Sequence, residues 1–547
     1  MASEINKALE EIKDCIEKKE NFCLDAGAGS GKTHTLVSTI NYLKITKSES
    51  KIICITYTNN AKNEIISRLS DVNNIFVSTI HEFIWKNICK FQASLRVEVN
   101  KCIIEKISKY EIENNETKVE KYKNADLTLP ISYRDYESLI NGIISHDTLL
   151  NIFNSFLSNE QYCNILFSSI DYIFVDEYQD THKIIFYEFL KKLQDYKEKF
   201  NDILIGLFGD TMQNIYLNGI GEIQGEYKNI FKFIKKEENY RSCSEIINLN
   251  NSLRSDLIQV CKNNSVKKNE IKFIYNLSDD KYLKQCIQYN DFEKLHLTHR
   301  YIADEVGFSN IYDIYYKRYG NNTSNIIKNA DERYLRYICS EIMPLIYETK
   351  NNISSAIIKN INKNYINFEI LNNIKEQVYN IISEMSEISI QLFLEKIFSL
   401  DILSNLDYLK LCKTYEESDD VEFLSIITEI KAIEFYNYYL QFSEKTLLQT
   451  MHGTKGNEFK HVVININENT TWNWYNFSKL FKNQAMKESV KNRTEKLLYV
   501  SCTRAQSSLV INYIVEENNS RSQYAINSMK NNIERIWGNK IEFVIYE

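Results

Sequence analysis

The sequence lacks the features of a secreted, membrane-spanning or disulfide-linked protein. It has no run of about 18 apolar residues, so we expect no membrane span. The charged N-terminal segment MASEINKALEEIKDC lacks the apolar core of a signal peptide. The 12 cysteines are scattered without a CxxC pair, which is typical of reduced thiols. We therefore predict a cytoplasmic protein with no membrane partner.

Basic residues are too few for a protein that binds nucleic acid over its whole surface. The 547 residues include 66 lysines and arginines against 73 aspartates and glutamates, a formal net charge of −7. This balance still allows a local basic groove. No internal repeat and no linker rich in glycine and serine marks a domain boundary, so the motifs must place the boundaries.

Four short apolar runs predict buried strands. They are KIICITY (51–57), DYIFVDE (171–177), ILIGLFGD (203–210) and KHVVININ (460–467). Helical patterns lie between them, so we predict an α/β fold with parallel sheets and ligands at the carboxyl ends of the strands. Residues 84–149 and 301–439 are long, mostly helical and poor in motifs, and we interpret them as insertions.

The segment AGAGSGKT predicts a phosphate-binding loop. It lies between the apolar stretch FCLDA and the helical pattern HTLVSTINYL, the strand–loop–helix order that such a loop requires. Its glycines let the backbone wrap a phosphate, Lys32 can reach the β- and γ-phosphates, and the Thr33 hydroxyl can ligate Mg²⁺. The predicted nucleotide-binding residues are Ala26, Gly27, Ala28, Gly29, Ser30, Gly31, Lys32 and Thr33. Ala26 replaces the first glycine of the strict pattern.

Two carboxylates and a glutamine follow predicted strands. Asp176 and Glu177 end an apolar run, where Asp176 can hold Mg²⁺ and Glu177 can polarise the attacking water. Gln213 follows another run and is a candidate sensor of the γ-phosphate, although alone it would be interpreted as a polar turn residue. Together with the phosphate loop, these residues predict hydrolysis of ATP with Mg²⁺.

In this order, the segments resemble the motifs of superfamily 1 DNA helicases of the UvrD/Rep/PcrA type. The segment DEYQD is similar to the family's Walker B motif. The further similar segments are TYTNNAKNEIISRL (56–69), VSTIHEF (77–83), GDTMQNIY (209–216), NYRS (239–242), TMHGTKGNEF (450–459) and EKLLYVSCTRA (495–505). The motifs are collinear from residue 26 to residue 505, and the resemblance covers about half of the residues.

The resemblance implies two RecA-like P-loop domains with ATP between them. The implied boundaries are 1–83 and 150–240 for the first, ATP-binding domain, 84–149 for its helical insertion, 241–300 and 440–547 for the second domain, and 301–439 for a second, reduced helical insertion. Arg241 and Arg504 match two arginines that reach the γ-phosphate from the second domain, where a guanidinium neutralises charge on the phosphoryl group. Glu458 matches an acid near the nucleotide ribose. The resemblance therefore adds both arginines to Glu177 and Gln213 as catalytic candidates.

The resemblance also implies a path for single-stranded DNA. The implied contacts are Thr56, Tyr57, Asn59, Thr79, His81, Phe83 and Tyr216 in the first domain, and Thr450, His452 and Lys455 in the second. Threonine, asparagine and histidine can bond to phosphates, and aromatic rings can stack on bases. For Tyr57 and Phe83 the alternative is packing in the core.

Two departures from the family pattern bear on function. The family usually carries a glutamine before the phosphate loop that reads adenine, and residues 1–25 contain none. After Tyr216 the family usually carries an aromatic residue and an arginine, and here Asn218 and Gly219 occupy those places. The sequence therefore does not predict a preference for ATP over other nucleotides, and it predicts weaker binding of DNA.

Two functions remain open. The first is an ATP-dependent helicase or translocase on single-stranded or 3′-tailed DNA, moving 3′ to 5′ as its relatives do, in DNA repair or anti-phage defence. The second is a DNA- and nucleotide-sensing ATPase subunit that regulates a partner nuclease. The chain resembles the compact GajB-like helicase subunits of Gabija-type anti-phage systems, whose partner is a nuclease of the OLD/TOPRIM type. That resemblance rests on size and general motif likeness.

Overall fold

The chain folds into two compact units. The computed structural model describes residues 7–69, 73–126, 128–134, 136–197, 203–216, 218–263, 265–353, 368–400, 402–417, 420–469 and 474–547. The first unit comprises Met1–Ile271, Thr471–Ser507 and Asn531–Ile541. The second comprises Lys272–Thr470, Ser508–Lys530 and Glu542–Glu547. Over the described ranges, no helix combines the length and the apolar character needed to cross a membrane.

A six-stranded parallel sheet forms the centre of the first unit. The strands up to residue 261 are β1 (Phe22–Ala26), β2 (Ile52–Thr56), β3 (Ile75–Thr79), β4 (Ser132–Tyr133), β5 (Ile143–Ile144), β6 (Tyr172–Asp176), β7 (Leu204–Gly209), β8 (Lys232–Lys236), β9 (Glu238–Asn239) and β10 (Val260–Cys261). The order of the sheet is β3-β2-β6-β7-β1-β8, and its neighbours pair in parallel. Because β6, β7 and β1 are adjacent, the segments after their carboxyl ends meet at one edge.

Helices cover both faces of this sheet. They are α1 (Lys7–Lys18), α2 (Lys32–Thr46), α3 (Asn59–Arg68), α4 (Ile80–Ile88), α5 (Gln92–Ile112), α6 (Glu116–Lys123), α7 (His146–Leu157), α8 (Glu160–Phe167), α9 (Lys183–Lys197) and α10 (Ser244–Asn250). Alternate residues of β1 enter opposite cores: Phe22 and Leu24 pack with α1 and α2, and Cys23 packs on the other side with α4 and α7–α9. This burial on both faces explains why the strands are apolar throughout.

The second unit combines another six-stranded sheet with a helical segment. Its strands are β11 (Ile271–Asn276), β12 (Glu293–His296), β13 (Leu448–Thr450), β14 (Phe459–Asn467), β15 (Ala505–Ile514) and β16 (Glu542–Tyr546). Their order is β13-β12-β14-β15-β11-β16, and β12 pairs in parallel with β13 and β14, as β11 does with β16. The predicted α/β class with two parallel sheets is therefore confirmed.

The helical segment of the second unit has its own apolar core. Its helices are α11 (His299–Val306), α12 (Ser309–Tyr319), α13 (Thr323–Asn329), α14 (Arg333–Tyr337), α15 (Met343–Lys350), α16 (Phe368–Ser383), α17 (Ile390–Phe398), α18 (Leu406–Glu417), α19 (Val421–Thr428) and α20 (Ala432–Phe442). One buried cluster runs from Ile302 to Tyr438. The chain continues with α21 (Phe477–Phe481) and α22 (Glu488–Cys502), which belong to the first unit, and with α23 (Gln523–Trp537).

The division into units differs from the boundaries that the resemblance implies. Residues 241–271 and 471–507 belong to the first unit rather than to a second domain that begins at residue 241. The reason is local bonding: β9 pairs with β10, and the side chains of Asn239 and Gln259 donate hydrogen bonds to the carbonyl of Ala28. By this division Arg241 and Arg504 lie in the same unit as the phosphate loop, and the domain boundaries that the resemblance implies stay a prediction.

Candidate ATP site

The phosphate loop joins β1 to α2 in a conformation that suits an anion. Gly29 and Gly31 have φ of +76° and +78°, in the left-handed region that disfavours other residues. A Cβ at Gly29 would lie 2.7 Å from the Cβ of Arg241, so the arginine packs against the bare backbone. Gly31 precedes α2, and no side chain caps the first turn of that helix. The backbone amides of this first turn can therefore donate hydrogen bonds to a phosphate.

Lys32 begins α2 and is buried beside the carboxylates that follow β6. Its Nζ lies 3.0 Å from Oε1 of Glu177. Burial lowers the pKa of Lys32, but the carboxylates of Glu177, Asp210 and Asp176 outweigh burial and raise it. The lysine is therefore a charged group in a buried site, as phosphate binding requires.

Asp176 and Glu177 fit the roles of metal ligand and water-polarising base. Burial, followed by the charge of Glu177, raises the pKa of Asp176 to about 7. The Oδ1 atom of Asp176 has no hydrogen-bond partner among the described residues. A buried carboxylate oxygen of this kind, with the half-buried Thr33 in the first turn of α2, is a donor set that Mg²⁺ prefers. Glu177 adopts φ +51°, so the chain turns sharply after β6.

Gln213 lies in the turn after β7 and is held by Asp210. Its Nε2 donates to Oδ2 of Asp210 at 2.9 Å, and its Oε1 accepts from Nη2 of Arg504 at 3.5 Å. Asp210 N–H in turn donates to Gln179, a residue of the turn after β6. The side chain proposed as the γ-phosphate sensor is thus fixed between two charged groups.

Arg504 and Arg241 form a cationic part of the site. Arg504 is 1% exposed and follows α22, where its Nε donates to the carbonyl of Val500. Arg241 donates from Nη1 to the carbonyl of Thr503. Burial, followed by the charge of Arg241, lowers the pKa of Arg504 to about 9. Two like charges that disfavour each other at a buried site favour an anionic ligand between them.

Three further groups of this site were not predicted from the sequence. They are Arg254, whose Nη1 lies 3.2 Å from Oδ1 of Asp210; Tyr499, whose hydroxyl donates to Oδ2 of Asp210; and Gln259, which bonds to the carbonyl of Ala28. Asp210 and Tyr499 lie within segments that carry the resemblance, so those segments could have indicated that both residues belong to the site. Arg254 and Gln259 lie outside every motif, and no pattern marks them.

The residues implied for DNA binding in the first unit have different environments. Tyr57 is 42% exposed and stacks on Tyr216, with ring centroids 5.2 Å apart and planes at 28°. Asn59 is exposed at the start of α3. Thr79 caps α4 by accepting from the Glu82 amide. His81 is half-buried, and its ring centroid lies 4.5 Å from that of His146.

Two of the implied DNA contacts are buried. Phe83 is 2% exposed and packs edge-to-face on Phe189 in the core, so its implied stacking role is corrected to core packing. Its position one turn into the capped helix α4 points it at the sheet. Thr56 is also buried, and its hydroxyl donates to the carbonyl of Thr58.

The segment after Tyr216 explains one departure from the family pattern. Gly219 forms a bridge with His182. A Cβ at Gly219 would lie 2.5 Å from the carbonyl oxygen of Gln179 and 3.2 Å from Cα of Asp180. Because backbone atoms close this space, an arginine at position 219 would require the chain to move.

The remaining implied residues belong to the second unit. Thr450 ends β13, and its hydroxyl accepts from the Gly453 amide at 3.1 Å. His452 is half-buried; burial, followed by the charge of His299, lowers its pKa to about 4. Lys455 is half-buried and Glu458 is exposed. The structure groups these side chains on the loop between β13 and β14.

The chain is similar to several known proteins. A family model described as an AAA domain matches residues 10–218. The Gabija protein GajB of Bacillus cereus is 26% identical over 93% of this chain and 95% of its own length. The ATP-dependent DNA helicase Rep of Buchnera aphidicola is 30% identical over 52% of each chain. PcrA of Staphylococcus epidermidis is 28% identical over 47% of this chain and 40% of its own.

This chain spans about half of the length of Rep and less of PcrA, whereas it spans almost all of GajB. The solved structure of Pif1 from Bacteroides sp. with ADP-AlF4 aligns with 55% of each chain at 16% identity. Its TM-score of 0.27 is too low to bear on the fold.

Proposed function

We propose that this chain, a member of the UvrD-like superfamily 1 helicases, hydrolyses ATP to act on single-stranded DNA. The observation that carries the proposal is the convergence of Lys32, Glu177, Gln213, Arg241 and Arg504 within one compact unit. These side chains come from segments spread over most of the chain. Core packing alone does not require buried cations and carboxylates in such number.

The residues of the site would have different roles in phosphoryl transfer. The loop amides and Lys32 would bind the β- and γ-phosphates. Thr33 and Asp176 would hold Mg²⁺, which neutralises phosphate charge when bound. In this structure Glu177 bonds to Lys32 and also accepts from Gln179 at 2.5 Å. A phosphate that takes over Lys32 would leave Glu177 to accept a proton from the attacking water.

The two arginines and Gln213 would act on charge that develops during transfer. A preorganised guanidinium in a buried site stabilises a transition state more than it could in water. The lowered pKa of Arg504 indicates that its surroundings favour an added negative charge. Binding of the γ-phosphate would supply that charge.

The stacked pair Tyr57 and Tyr216 would form the platform for a base of single-stranded DNA. Aromatic stacking contributes about 1–3 kcal/mol per base. Asn59, at the start of α3, lies close along the chain and could bond to a phosphate. Movement from 3′ to 5′ and binding of 3′-tailed DNA are proposed from the resemblance, as are the contacts of Thr450, His452 and Lys455.

A regulatory subunit is the second candidate function. The similarity to GajB covers 93% of the chain, whereas that to Rep covers 52%. The space for an arginine at Gly219 is closed by backbone, which weakens the DNA grip of an independent motor. In this version the chain would sense DNA and nucleotide in anti-phage defence and control a partner nuclease of the OLD/TOPRIM type.

The test compares ATP turnover with strand separation on the same DNA. We expect single-stranded DNA to stimulate hydrolysis by the wild-type protein, and the Lys32→Ala variant to hydrolyse almost no ATP. The matched control is Lys44→Ala, which removes a lysine from the other end of α2. Wild-type turnover by Lys32→Ala would refute the proposal.

A short 3′-tailed duplex then separates the two candidates. We expect the lone protein to hydrolyse ATP on this DNA but to unwind it weakly, which supports the regulatory version. Efficient unwinding by the lone protein would instead establish an independent helicase.

A further inference from the structure

One buried arginine outside every motif joins three parts of the ATP site. Arg254 lies in the loop after α10, and its side chain is fully buried. Its Nη1 lies 3.2 Å from Oδ1 of Asp210 and donates to the hydroxyl of Tyr499 at 2.8 Å. On its other edge, Nε and Nη2 donate to the two carboxylate oxygens of Asp256 at 2.9 and 2.8 Å.

Asp210 links Arg254 to Gln213. Its Oδ2 accepts from Nε2 of Gln213 at 2.9 Å and from the Tyr499 hydroxyl at 3.3 Å, while its Oδ1 accepts from the Met212 amide at 3.1 Å. A carboxylate with this many partners has little freedom to rotate. The position of the Gln213 side chain therefore depends on what holds Asp210.

Tyr499 extends the same network to the phosphate loop. Its hydroxyl accepts from the Ala28 amide at 3.5 Å. The Arg254 guanidinium also lies 5.3 Å from the centre of the Tyr499 ring. Tyr499 is five residues before Arg504, on the helix α22 that leads to that arginine. One guanidinium thus bonds to groups that touch the phosphate loop and the Gln213 turn.

We propose that Arg254 is a positioning residue for ATP hydrolysis: it holds Asp210 and Tyr499 so that Gln213 and the phosphate loop keep their catalytic arrangement. The inference rests on the proposed hydrolysis of ATP. Lysine cannot replace this arginine, because one ammonium cannot bond to Asp256 along one edge and to Asp210 and Tyr499 along the other.

The geometry predicts a split between turnover and binding. Arg254 reaches the phosphate loop through the long contact of Tyr499 with the Ala28 amide, at 3.5 Å, but bonds to the Gln213 turn directly through Asp210, so we expect most ground-state contacts to ATP to survive its loss. We expect Arg254→Lys to lower kcat by about 100-fold, the effect of misplacing a catalytic group by about 1 Å, and to change the KM for ATP by less than about threefold. The matched control is Arg318→Lys, which removes an equally bidentate contact, to Asp420, from the second unit.

A double-mutant cycle distinguishes positioning from a structural role. If Arg254 acts through Gln213, then Arg254→Lys in a Gln213→Ala background lowers kcat by less than about threefold further. A full further loss of about 100-fold would overturn the proposal, because the two residues would then act independently. An equal loss in Arg318→Lys would overturn it too.

Two further measurements are the turnover of Tyr499→Phe and that of the wild-type protein. Tyr499→Phe removes only a hydroxyl, so it replaces Arg254→Lys in the cycle if the lysine variant does not fold. We expect it to lower kcat by about tenfold in the wild-type background and by less than about threefold with Gln213→Ala. Absence of ATP turnover in the wild-type protein would refute the proposed function itself, whereas independent losses in an active protein would refute only the role of Arg254.

Discussion

Methionine substitutions at two buried arginines, Arg504 and Arg254, should change the stability of the protein in opposite directions. Arg504 and Arg254 belong to the same compact unit, and both side chains are buried. Arg254 faces the carboxylates of Asp210 and Asp256. The neighbouring charge with the largest effect on the pKa of Arg504 is the like charge of Arg241. We expect Arg504→Met to stabilise the nucleotide-free protein and Arg254→Met to destabilise it.

The magnitude for Arg504 follows from its lowered pKa. A fall from the ordinary arginine range to about 9 corresponds to a penalty on the charged form of the order of 5 kcal/mol. Below pH 9 the group is charged in the folded and unfolded states, so this cost is fully present at neutral pH. Hydrogen bonds to Val500, Thr503 and Gln213, of about 1 kcal/mol each, offset part of it. The net gain expected for Arg504→Met is about 2 kcal/mol.

For Arg254 the carboxylates reverse the sign. Burial opposes its charge, but Asp210, Tyr499 and Asp256 outweigh burial and raise its pKa. Methionine would leave the fully buried Asp210 without its guanidinium partner. Removal of one member of a buried ion pair costs about 3–5 kcal/mol. The free energy of unfolding of Arg254→Met should fall by that amount.

The assay is urea unfolding at pH 7.5 without nucleotide, followed by fluorescence and circular dichroism. A higher midpoint for Arg504→Met and a lower one for Arg254→Met, at unchanged slope, is the expected result. Turnover should nevertheless fall by about 10³-fold or more in Arg504→Met, as for the loss of an arginine finger. If Arg504→Met lowers the midpoint as much as Arg254→Met, the argument from like charges is refuted.

Three further predictions test other parts of the site. Glu177→Gln should bind ATP and lose hydrolysis by about 10²–10⁴-fold, because only the water-orienting carboxylate is removed; loss of nucleotide binding would make Glu177 structural. Tyr57→Ala should weaken binding of single-stranded DNA by about 1–3 kcal/mol without lowering the unfolding midpoint, whereas Phe83→Ala should destabilise the fold by about 3–5 kcal/mol; the reverse pattern would contradict our assignment. Burial, followed by the charge of His146, lowers the pKa of His81 to about 4. The unfolded chain therefore takes up this proton first, and stability should fall from pH 6.5 towards pH 4; an equal fall in His81→Asn would contradict this cause.

The sequence predicted the α/β fold class and indicated a candidate ATP site because both depend on local patterns. Apolar runs that end in glycine or aspartate predict strands followed by ligand-binding turns, and the order β6-β7-β1 brings those turns together. Lys32, Asp176 and Gln213 were predicted as site residues in this way. The predicted single-stranded DNA path stays a prediction except at Phe83 and Thr56, where burial contradicts it.

What could not be predicted depends on long-range packing. Arg254 and Gln259 carry no motif, and their contacts join residues that are 44 and 231 positions apart in the chain. The motifs alone also do not show which of their aromatic side chains face the core. Tyr57 and Phe83 both lie in such segments, but Phe83 is part of the capped helix α4, which directs its side chain towards the sheet.

The charges of the site indicate what nucleotide binding would do to the first unit. The charge of Glu177 helps to raise the pKa of Asp176, and the charge of Arg241 helps to lower the pKa of Arg504. A cation near the carboxylates and a phosphate near the arginines would relieve both repulsions at once. Nucleotide should therefore tighten segments that are far apart in sequence, such as the turn after β6 and the end of α22. Because Arg254 bonds to both Asp210 and Tyr499, we expect it to be the fixed point against which those segments close.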